Sequence, residues 1–485
     1  VVVYRTARVG LRVTAGQRRR CFGLLRSAGD VWACVLEVNA WRRRRQDSPL
    51  AGYQELCRQL AASGPGTFGD LDTTGARSVL RRFSDAWFAA AARRKAGDTT
   101  ARFPRRRRAL VPVRWYHGTF TITGRRVRIP CAKGSPALWV RLARDLPYPV
   151  EHIRSITLGH EGGRLFLDVT AEVPVAAYPP GEGPDPGRVA GVDLGIIHPY
   201  AVAGPGGQGL LVSGRAIRAE HRMHLADSKG RRRAVARRAP KPGQKGSRRW
   251  RRYRRRTRQV EGRHRRRVRQ AQHEAAKTVI SWAVQQRIGV LHVGDPRGVL
   301  DLPAGRRHNL RLRQWQIGRL IQVLTDKATL AGITVHLVDE RGTSSTCPRC
   351  HRRVPKPSGR VFTCPHCGYT GHRDLTAAAS IATRAPGGGS TTSPAHVVLP
   401  QVVTHRRAGR HLPGAGQSRR DPRRPPRAAP RGQLASGGPP HPPWEGSRSP
   451  TTARIHNTTR NPVNVSGHRT RLPRNWSRSG RGLRA

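Results

Sequence analysis

Acidic residues are scarce in this sequence. Its 485 residues include 28 Asp and Glu against 92 Lys and Arg, which gives a formal net charge of +64. Lysine is scarce as well, because only eight of the basic residues are lysines and the other 84 are arginines. A chain of this charge repels itself unless a polyanion neutralises it. Nucleic acid is therefore the expected partner.

Long apolar runs are also missing. The longest run of note is Ala86–Ala92, whereas a membrane-spanning helix needs about 18 or more apolar residues. The N-terminus lacks the apolar core and the small-residue cleavage site of a signal peptide. These absences exclude a transmembrane protein and predict one that works in the cytoplasm without a membrane partner.

Cysteines are few, and their spacing is informative. Four of the eight are scattered, which does not indicate a disulfide framework and suits a reducing compartment. The other four form two CxxC pairs separated by 13 residues. Two such pairs place four sulfurs around one tetrahedral zinc ion and leave no open position for chemistry. The sequence therefore predicts a structural zinc ribbon over residues 343–370, with Cys347, Cys350, Cys364 and Cys367 as ligands.

The composition of the chain divides it into an N-terminal half, a central part and a tail. Residues 1–176 begin with an alternating strand, continue with helical spacing over about 17–97 and end in short strands with Gly turns, which predicts a β-barrel with a helical insertion. Residues 177–188 are rich in Pro and Gly and are predicted to be a linker. Residues 385–485 carry too little apolar surface to offset chain entropy, so they are predicted to be a disordered basic tail.

The central part alternates strands and helices. The predicted elements are, in order, a three-stranded meander (189–196, 198–202 and 210–212), a helix (271–286), a strand (288–293), one long helix (310–330), a strand (333–338) and a final helix (375–383). This order fits an α/β fold with an RNase H-like core into which the zinc ribbon is inserted.

A few acidic residues stand in apolar or strand-end positions. Asp193 interrupts an apolar strand, and a buried carboxylate has to be paired or to bind a metal ion. Asp374 precedes an Ala-rich helix, where capping and metal binding are both possible. A two-metal site needs a third converging acid. The candidates at strand ends are Asp295, Asp339 and Glu340, and the residues alone do not choose among them.

The most basic part of the chain is 231–269, where 20 of 39 residues are Lys or Arg and Glu261 is the single acid. Such a run is either a solvated face or a nucleic-acid contact. Trp250 and Tyr253 lie within it and offer stacking surfaces beside the cations. The candidate nucleic-acid-binding residues are Arg248, Arg249, Arg251, Arg252, Arg254, Arg255 and Arg256.

These segments together resemble the TnpB family, the OrfB-type insertion-sequence proteins, which are related to the compact type V CRISPR effectors. The motifs that carry the resemblance are Gly191–Gly195, Val293–Gly298, Thr343–Cys347 and His372–Asp374. It covers residues 189–384 with specific motifs. Over 1–176 it extends only to the layout of the family's wedge and recognition lobes.

The resemblance implies a transposon-encoded, RNA-guided DNA endonuclease of the bacterial cytoplasm and nucleoid. Its RuvC-like core would cover 189–342 and 371–384, its cofactors would be structural Zn²⁺ and catalytic Mg²⁺, and its partners would be a guide RNA and a target DNA. The other interpretation is a catalytically inactive nucleic-acid-binding relative that regulates transposition.

The resemblance also assigns the acids. The first catalytic acid corresponds to Asp193 and the last to Asp374, and both would bind Mg²⁺. The middle acid of the family is usually a Glu at the end of the strand that here ends with Asp295, and this chain has no Glu there. We favour Glu340 as its replacement, with Asp295 as the alternative.

Overall fold

Two sheets and a small hairpin organise the part of the chain that the structure describes. In the computed structural model this part comprises residues 2–64, 66–105, 108–296, 305–355, 357 and 359–384, with the backbone alone for 306–308 and 401–405. No described helix is long and apolar enough to span a bilayer.

The first sheet is antiparallel and has seven strands. They are β1 Val2–Arg12, β2 Val113–Tyr116, β3 Thr121–Thr123, β4 Arg126–Ile129, β5 Leu138–Leu142, β6 Ile153–Glu161 and β7 Arg164–Pro174. Their order is β2-β6-β7-β1-β5-β4-β3. Among the described residues β2 and β3 pair on one side only, so hydrogen bonds do not close the predicted β-barrel. The structure has an open sheet instead, with the short strands β2 and β3 at its two edges.

Three helices lie between β1 and β2, in the segment where helices are predicted. They are α1 Ala15–Arg44, α2 Tyr53–Ala62 and α3 Thr73–Lys95. Thr14 and Gln17 form a reciprocal capping box that fixes the start of α1. Asp72 caps α3 and also accepts a hydrogen bond of 2.7 Å from the indole N–H of Trp115 in β2. The helices therefore share one hydrophobic core with the sheet.

The second sheet is mixed and has six strands. They are β8 Asp185–Asp193, β9 Tyr200–Ala203, β10 Gln208–Val212, β11 Ile288–Asp295, β12 Thr334–Asp339 and β15 Gln401–His405, while β13 Val361–Thr363 and β14 Thr370–His372 form the separate hairpin. The order of the sheet is β12-β11-β8-β9-β10-β15. Strands β8, β11 and β12 are parallel, and β9 runs antiparallel to both of its neighbours. A mixed α/β architecture is thereby confirmed.

Within the described residues five α-helices accompany this sheet. They are α4 Arg215–Ala236, α5 Arg248–Gln285, α6 Arg306–Trp315, α7 Ile317–Leu330 and α8 Arg373–Ala382. Helices α5 and α7 pack on one face through an apolar core, and α8 packs on the other face across β8 and β9. The middle of α5 also touches the first sheet, where Arg269 pairs with Glu161 at 3.0 Å. Helix α5 thus contacts both sheets.

Several predicted boundaries are wrong for local reasons. The predicted linker 177–188 ends inside the sheet, because β8 begins at Asp185 and tolerates Pro186 and Gly187 at its irregular start. The helix predicted over 271–286 begins at Arg248, since the basic run is helical from Arg248 onwards. The helix predicted over 310–330 is broken at Gln316, whose φ of 55° is left-handed.

The predicted disordered tail is wrong for one short segment. Gln401–His405 forms β15 and pairs parallel to β10 over five residues. A strand here covers the edge of β10, which would otherwise present unpaired backbone groups. The other residues of 385–485 lie outside the described part of the chain.

Helix α8 approaches the sheet closely because a glycine lies beneath it. A Cβ built on Gly191 of β8 would stand 1.9 Å from the carbonyl oxygen of Ala378 and 2.6 Å from the backbone nitrogen of Ala382. Both atoms belong to the backbone of α8, so they cannot rotate away. Gly191 therefore sets the distance between β8 and α8.

The first prediction follows from this contact. We expect Gly191→Ala to force α8 off the sheet and to lower the stability by about 1–3 kcal/mol or more, as overpacking does. The midpoint of thermal unfolding measures it. Gly230→Ala is the matched control, because Gly230 lies in α4 with open space around it, and alanine there favours the helix. Equal midpoints for the two variants would contradict the prediction.

Candidate functional site

The carboxyl ends of the parallel strands meet at one edge of the second sheet. Asp193 ends β8, Asp295 ends β11 and Asp339 ends β12. Asp374 lies in the first turn of α8, which crosses β8 at that edge. His372, and not Asp374, is the residue that caps this helix, since its Nδ1 accepts from the N–H of Asp374 at 3.3 Å. The carboxylate of Asp374 is therefore available for other contacts.

Three of the candidate acids line one cleft of about 360 Å³. They are Asp193, Glu340 and Asp374. The positive side chains in the same lining are Arg311, Arg360 and Arg373. Residues that are 181 positions apart along the sequence thus reach a common space.

The position of Glu340 is explained by a second glycine. Gly294 of β11 lies on the face that carries α8, and a Cβ built there would stand 3.0 Å from Oε2 and 3.1 Å from Cβ of Glu340. Val293 pairs with Val192 in register, so Gly294 lies beside Asp193 on the same face. The side chain of Glu340 therefore occupies the space that a side chain at position 294 would take.

Asp295 and Asp339 lie differently. Successive side chains of a strand point to opposite faces, which puts Asp295 on the face opposite to Gly294. Within the described residues Asp295 does not line the cleft. Asp339 is exposed, and its Oδ1 accepts from the N–H of Arg341 at 3.0 Å. Of the three strand-end candidates, the structure brings only Glu340 to Asp193 and Asp374.

The three acids are close enough for their charges to affect one another's pKa values. Burial, followed by the negative charges of Asp374 and Glu340, raises the pKa of Asp193 well above its ordinary value. Burial opposes ionisation of Asp374 as well, but a hydrogen bond from His198 and the charge of Arg360 hold the pKa of Asp374 below its ordinary value. The cleft therefore concentrates negative charge on its Asp374 side and holds back ionisation at Asp193.

Three further side chains at this site were missed by the sequence reasoning. His198 Nδ1 lies 2.7 Å from Asp374 Oδ2, and Arg360 donates to both carboxylate oxygens of Asp374 at 3.2 and 2.9 Å. One nitrogen each of His198 and His372 and an oxygen of Asp374 lie within 4.8 Å of one another. Such a group can hold a metal ion. No spacing motif singles out His198 or Arg360, because both reach the site through tertiary contacts.

The four paired cysteines form a second site. One ligand atom of each lies within 4.8 Å of the others, with Cys347 and Cys367 sulfurs 3.6 Å apart and Cys350 and Cys364 sulfurs 3.6 Å apart. Sulfurs that are each about 2.3 Å from a central zinc ion would stand about 3.8 Å apart. Phe362 and Tyr369 pack against the thiols. The cluster is therefore consistent with the structural zinc that the spacing predicts.

The basic run 231–269 covers the end of α4, the connection 237–247 and the first half of α5. Helix α5 has 38 residues and is about 57 Å long at 1.5 Å per residue. Arg254 stacks on Trp250 at 4.6 Å, and Arg238, which follows α4, stacks on Tyr253 at 4.9 Å. The candidate nucleic-acid-binding arginines are all exposed, and they are Arg248, Arg249, Arg251, Arg252, Arg254, Arg255 and Arg256.

Comparison with known proteins gives two family matches. The profile described as Cas12f1-like, TNB domain matches residues 318–381. The OrfB_IS605 profile, described as Probable transposase, matches residues 172–300. The first match contains the cysteine cluster, and the second contains Asp193.

Individual relatives match about a quarter of this chain. TnpB-like protein MJ0751 of Methanocaldococcus jannaschii is 27% identical over 135 residues, which are 27% of this chain and 48% of that protein. The CRISPR-associated endodeoxyribonuclease Cas12f1 of Sulfoacidibacillus thermotolerans is 29% identical over 112 residues, which are 23% of this chain and 25% of that protein. The matches thus span about half or less of the relatives' own lengths.

A solved structure shares the fold. It is the cryo-EM structure of the Cas12f1–sgRNA–target DNA complex. The superposition covers 79% of this chain and 99% of the matched chain, with a TM-score of 0.56 and 11% sequence identity. The fold is therefore similar to that of Cas12f1. Residues 172–300 match the OrfB_IS605 transposase family, residues 318–381 match the Cas12f1-like TNB domain, and the chain is similar to TnpB and Cas12f1 proteins. The resemblance stated from the motifs is confirmed.

The zinc cluster generates the second prediction. Cys350→Ser should lose most of the bound zinc, because a structural site needs all four ligands, whereas the unaltered chain should hold about one zinc per molecule. Elemental analysis of the purified protein measures this. Cys34→Ser, in α1 and exposed, serves as the control and should keep its zinc. Full zinc content in Cys350→Ser would overturn the assignment.

The raised pKa of Asp193 generates the third prediction. Because its pKa is higher in the folded than in the unfolded chain, folding loses stability as pH rises from the unfolded value towards the folded one. Asp193→Asn removes this penalty. In protein without divalent cations we expect its thermal midpoint to exceed that of the unaltered chain by about 2–4 °C at neutral pH, with a smaller difference near pH 4.

The control for this titration has the opposite sign. A hydrogen bond from Arg125 lowers the pKa of Asp145, which lies on the protein surface. Asp145→Asn should therefore lower the midpoint at neutral pH or leave it unchanged. A lower midpoint for Asp193→Asn at neutral pH would show that the ionised carboxylate of Asp193 does not destabilise the fold.

Proposed function

We propose that this protein is a transposon-encoded, RNA-guided DNA endonuclease with a RuvC-like core. The observation that carries the proposal is the convergence of Asp193, Glu340 and Asp374 in one cleft. Its family, its Cas12f-like fold and its net charge of +64 support it. Curated relatives are named as Cas12f1 endodeoxyribonucleases.

The proposed centre uses two Mg²⁺ ions. When bound, they supply the activated water and the charge stabilisation that phosphodiester hydrolysis requires. The residues fit such ions, because three carboxylates supply hard oxygen ligands and the raised pKa of Asp193 indicates negative charge that lacks sufficient compensation. The ions would be held by Asp193, Glu340 and Asp374. Asp295 does not line the cleft and would not be a ligand.

The chain's own residues would prepare this centre. The hydrogen bond from His198 orients Asp374 and keeps it ionised. Arg360 balances the negative charge of Asp374 until a cation replaces it. Arg311 and Arg373, which line the cleft, would attract the phosphate of the strand to be cut.

We assign the parts of the chain accordingly. Residues 1–176 would form the wedge and recognition lobes, 189–342 and 371–384 the nuclease core, and 343–370 the zinc ribbon. The exposed arginines of α5 would contact the backbone of the guide–target duplex, which is read by shape and charge rather than by sequence.

A second function is favoured by one observation. The resemblance implies a Glu at the end of β11, and this chain has no Glu there; the strand position beside Asp193 is Gly294. If Glu340 does not substitute for that acid, the protein would bind its RNA and DNA without cutting and would act as a regulator of transposition.

The fourth prediction separates these functions. The protein is purified with its RNA, the RNA is sequenced, and matched DNA is added with and without Mg²⁺. Cleavage should require Mg²⁺ and should fall by about 10²-fold or more in Asp193→Ala, Glu340→Ala and Asp374→Ala, since each removes a ligand of the centre. Asp295→Ala is the matched control and should keep its activity.

Other patterns have clear meanings. Loss of cleavage in Asp295→Ala with activity kept in Glu340→Ala would move the centre to β11. DNA binding without cleavage in the unaltered protein would favour the regulatory function.

A further inference from the structure

A second cavity lies next to the carboxylate cleft and is larger. Its volume is about 520 Å³, within the range of about 300–1,000 Å³ that is usual for ligand sites. It is formed by the β8–β9 connection, α4, α6 and the start of α7. The residues shared by the linings of the two cavities are Gly195, Ile196, Ile197, Arg311 and Trp315. The two spaces are therefore contiguous.

The charged residues of this second cavity are all positive. Arg218, Arg222 and Arg311 belong to its lining, and no acidic residue does within the described part of the chain. Glu220 is near but engaged, because it pairs with His264 and with Arg267 at 3.2 Å each. Burial, reinforced by neighbouring arginines, lowers the pKa of Arg218. The cavity is thus an environment that an anion would stabilise.

Unsatisfied polar atoms are concentrated in the same lining. Among the described residues, Arg218 Nε, His221 Nε2 and Trp315 Nε1 are buried without a hydrogen-bond partner, and all three residues line this cavity. His221 is only 7% exposed. Buried polar groups in native proteins almost always have a partner. The three residues therefore bring hydrogen-bonding groups without a protein partner to the walls of this cavity.

The remaining wall is apolar. Ile196, Ile197, Ile217, Leu225 and Leu310 contribute to it. A ligand that fits must therefore combine an anionic part with a flat or apolar part that also carries hydrogen-bonding edges. A nucleotide has this composition, with its phosphate matching the arginines and its base matching the apolar wall, His221 and Trp315.

We propose that this cavity binds one nucleotide of the DNA strand and thereby seats the neighbouring phosphodiester against the carboxylate cleft. The inference rests on the proposed function for the identity of the strand. Arg218 and Arg222 hold the phosphate, and the indole N–H of Trp315 and the ring of His221 contact the base. Arg311, which lines both cavities, lies between the bound nucleotide and the cleft.

The test measures binding without cleavage. The full-length protein is titrated into a fluorescein-labelled ten-nucleotide thymidine strand with phosphorothioate linkages, in high salt and without divalent cations, and fluorescence anisotropy gives the affinity. Arg218→Gln should weaken binding by about tenfold and Trp315→Phe by about threefold or more, the usual effect of losing a charged or a neutral hydrogen bond. Arg313→Gln, exposed on α6 and outside both cavities, is the matched control for charge.

Competition identifies the ligand chemistry. Thymidine 5′-monophosphate should displace the strand from the unaltered protein at a concentration at least about fivefold lower than inorganic phosphate, because only the nucleotide fills the apolar wall. This advantage should become smaller in Trp315→Phe, which loses the indole N–H and part of the aromatic surface. Equal competition by phosphate would overturn the nucleotide assignment, and equal affinities of Arg218→Gln, Trp315→Phe and Arg313→Gln would overturn the site.

Misfolding and failure of the proposed function are both distinguishable from these outcomes. The thermal midpoint of each variant shows whether it folds. Trp315→Phe keeps an aromatic ring at this position, which limits the loss of packing. Strand binding that depends on this cavity in a protein that never cuts DNA would refute the nuclease alone. If the protein cuts DNA but its affinity for the strand is unchanged in Arg218→Gln and Trp315→Phe, only the proposed nucleotide site is refuted.

Discussion

The repulsion among three carboxylates at one edge of a sheet is the constraint on which the rest of this structure depends. Asp193, Glu340 and Asp374 come from β8, the end of β12 and α8. Negative charge brought together out of water has to be balanced. The surrounding Arg360 and His198 supply part of that balance. The arginine-lined second cavity adjoins the cleft that contains the three acids.

The zinc cluster contributes to this arrangement through the chain that follows it. Strand β14 pairs with β13 up to His372, and α8 begins at the next residue. The hairpin that the thiols hold therefore determines where Asp374 enters the cleft. Arg360 lies just before β13 on the same hairpin and contacts Asp374. The geometry of the cleft thus depends on the hairpin that carries the four paired thiols.

Local sequence patterns predicted the cysteine cluster and the order of strands and helices. The features that depend on pairing between distant segments were not predictable. The cysteine spacing sufficed for the zinc cluster because two short turns supply all four ligands, and the alternation of strands and helices sufficed for the α/β order. The open first sheet and the break at Gln316 were not predictable, since each depends on contacts between distant segments. The choice between Glu340 and Asp295 needed the register of β11 on β8, because one residue changes the face.

The juxtaposition of Gly294 and Glu340 couples two neighbouring strands. A Cβ at position 294 would stand 3.0 Å from Oε2 and 3.1 Å from Cβ of Glu340, and 2.8 Å from Cδ1 of Ile381, so a larger side chain on β11 would require these groups to move. Substitutions at positions 294 and 340 should therefore have non-additive effects, and only the double variant together with both single variants separates the contribution of each strand.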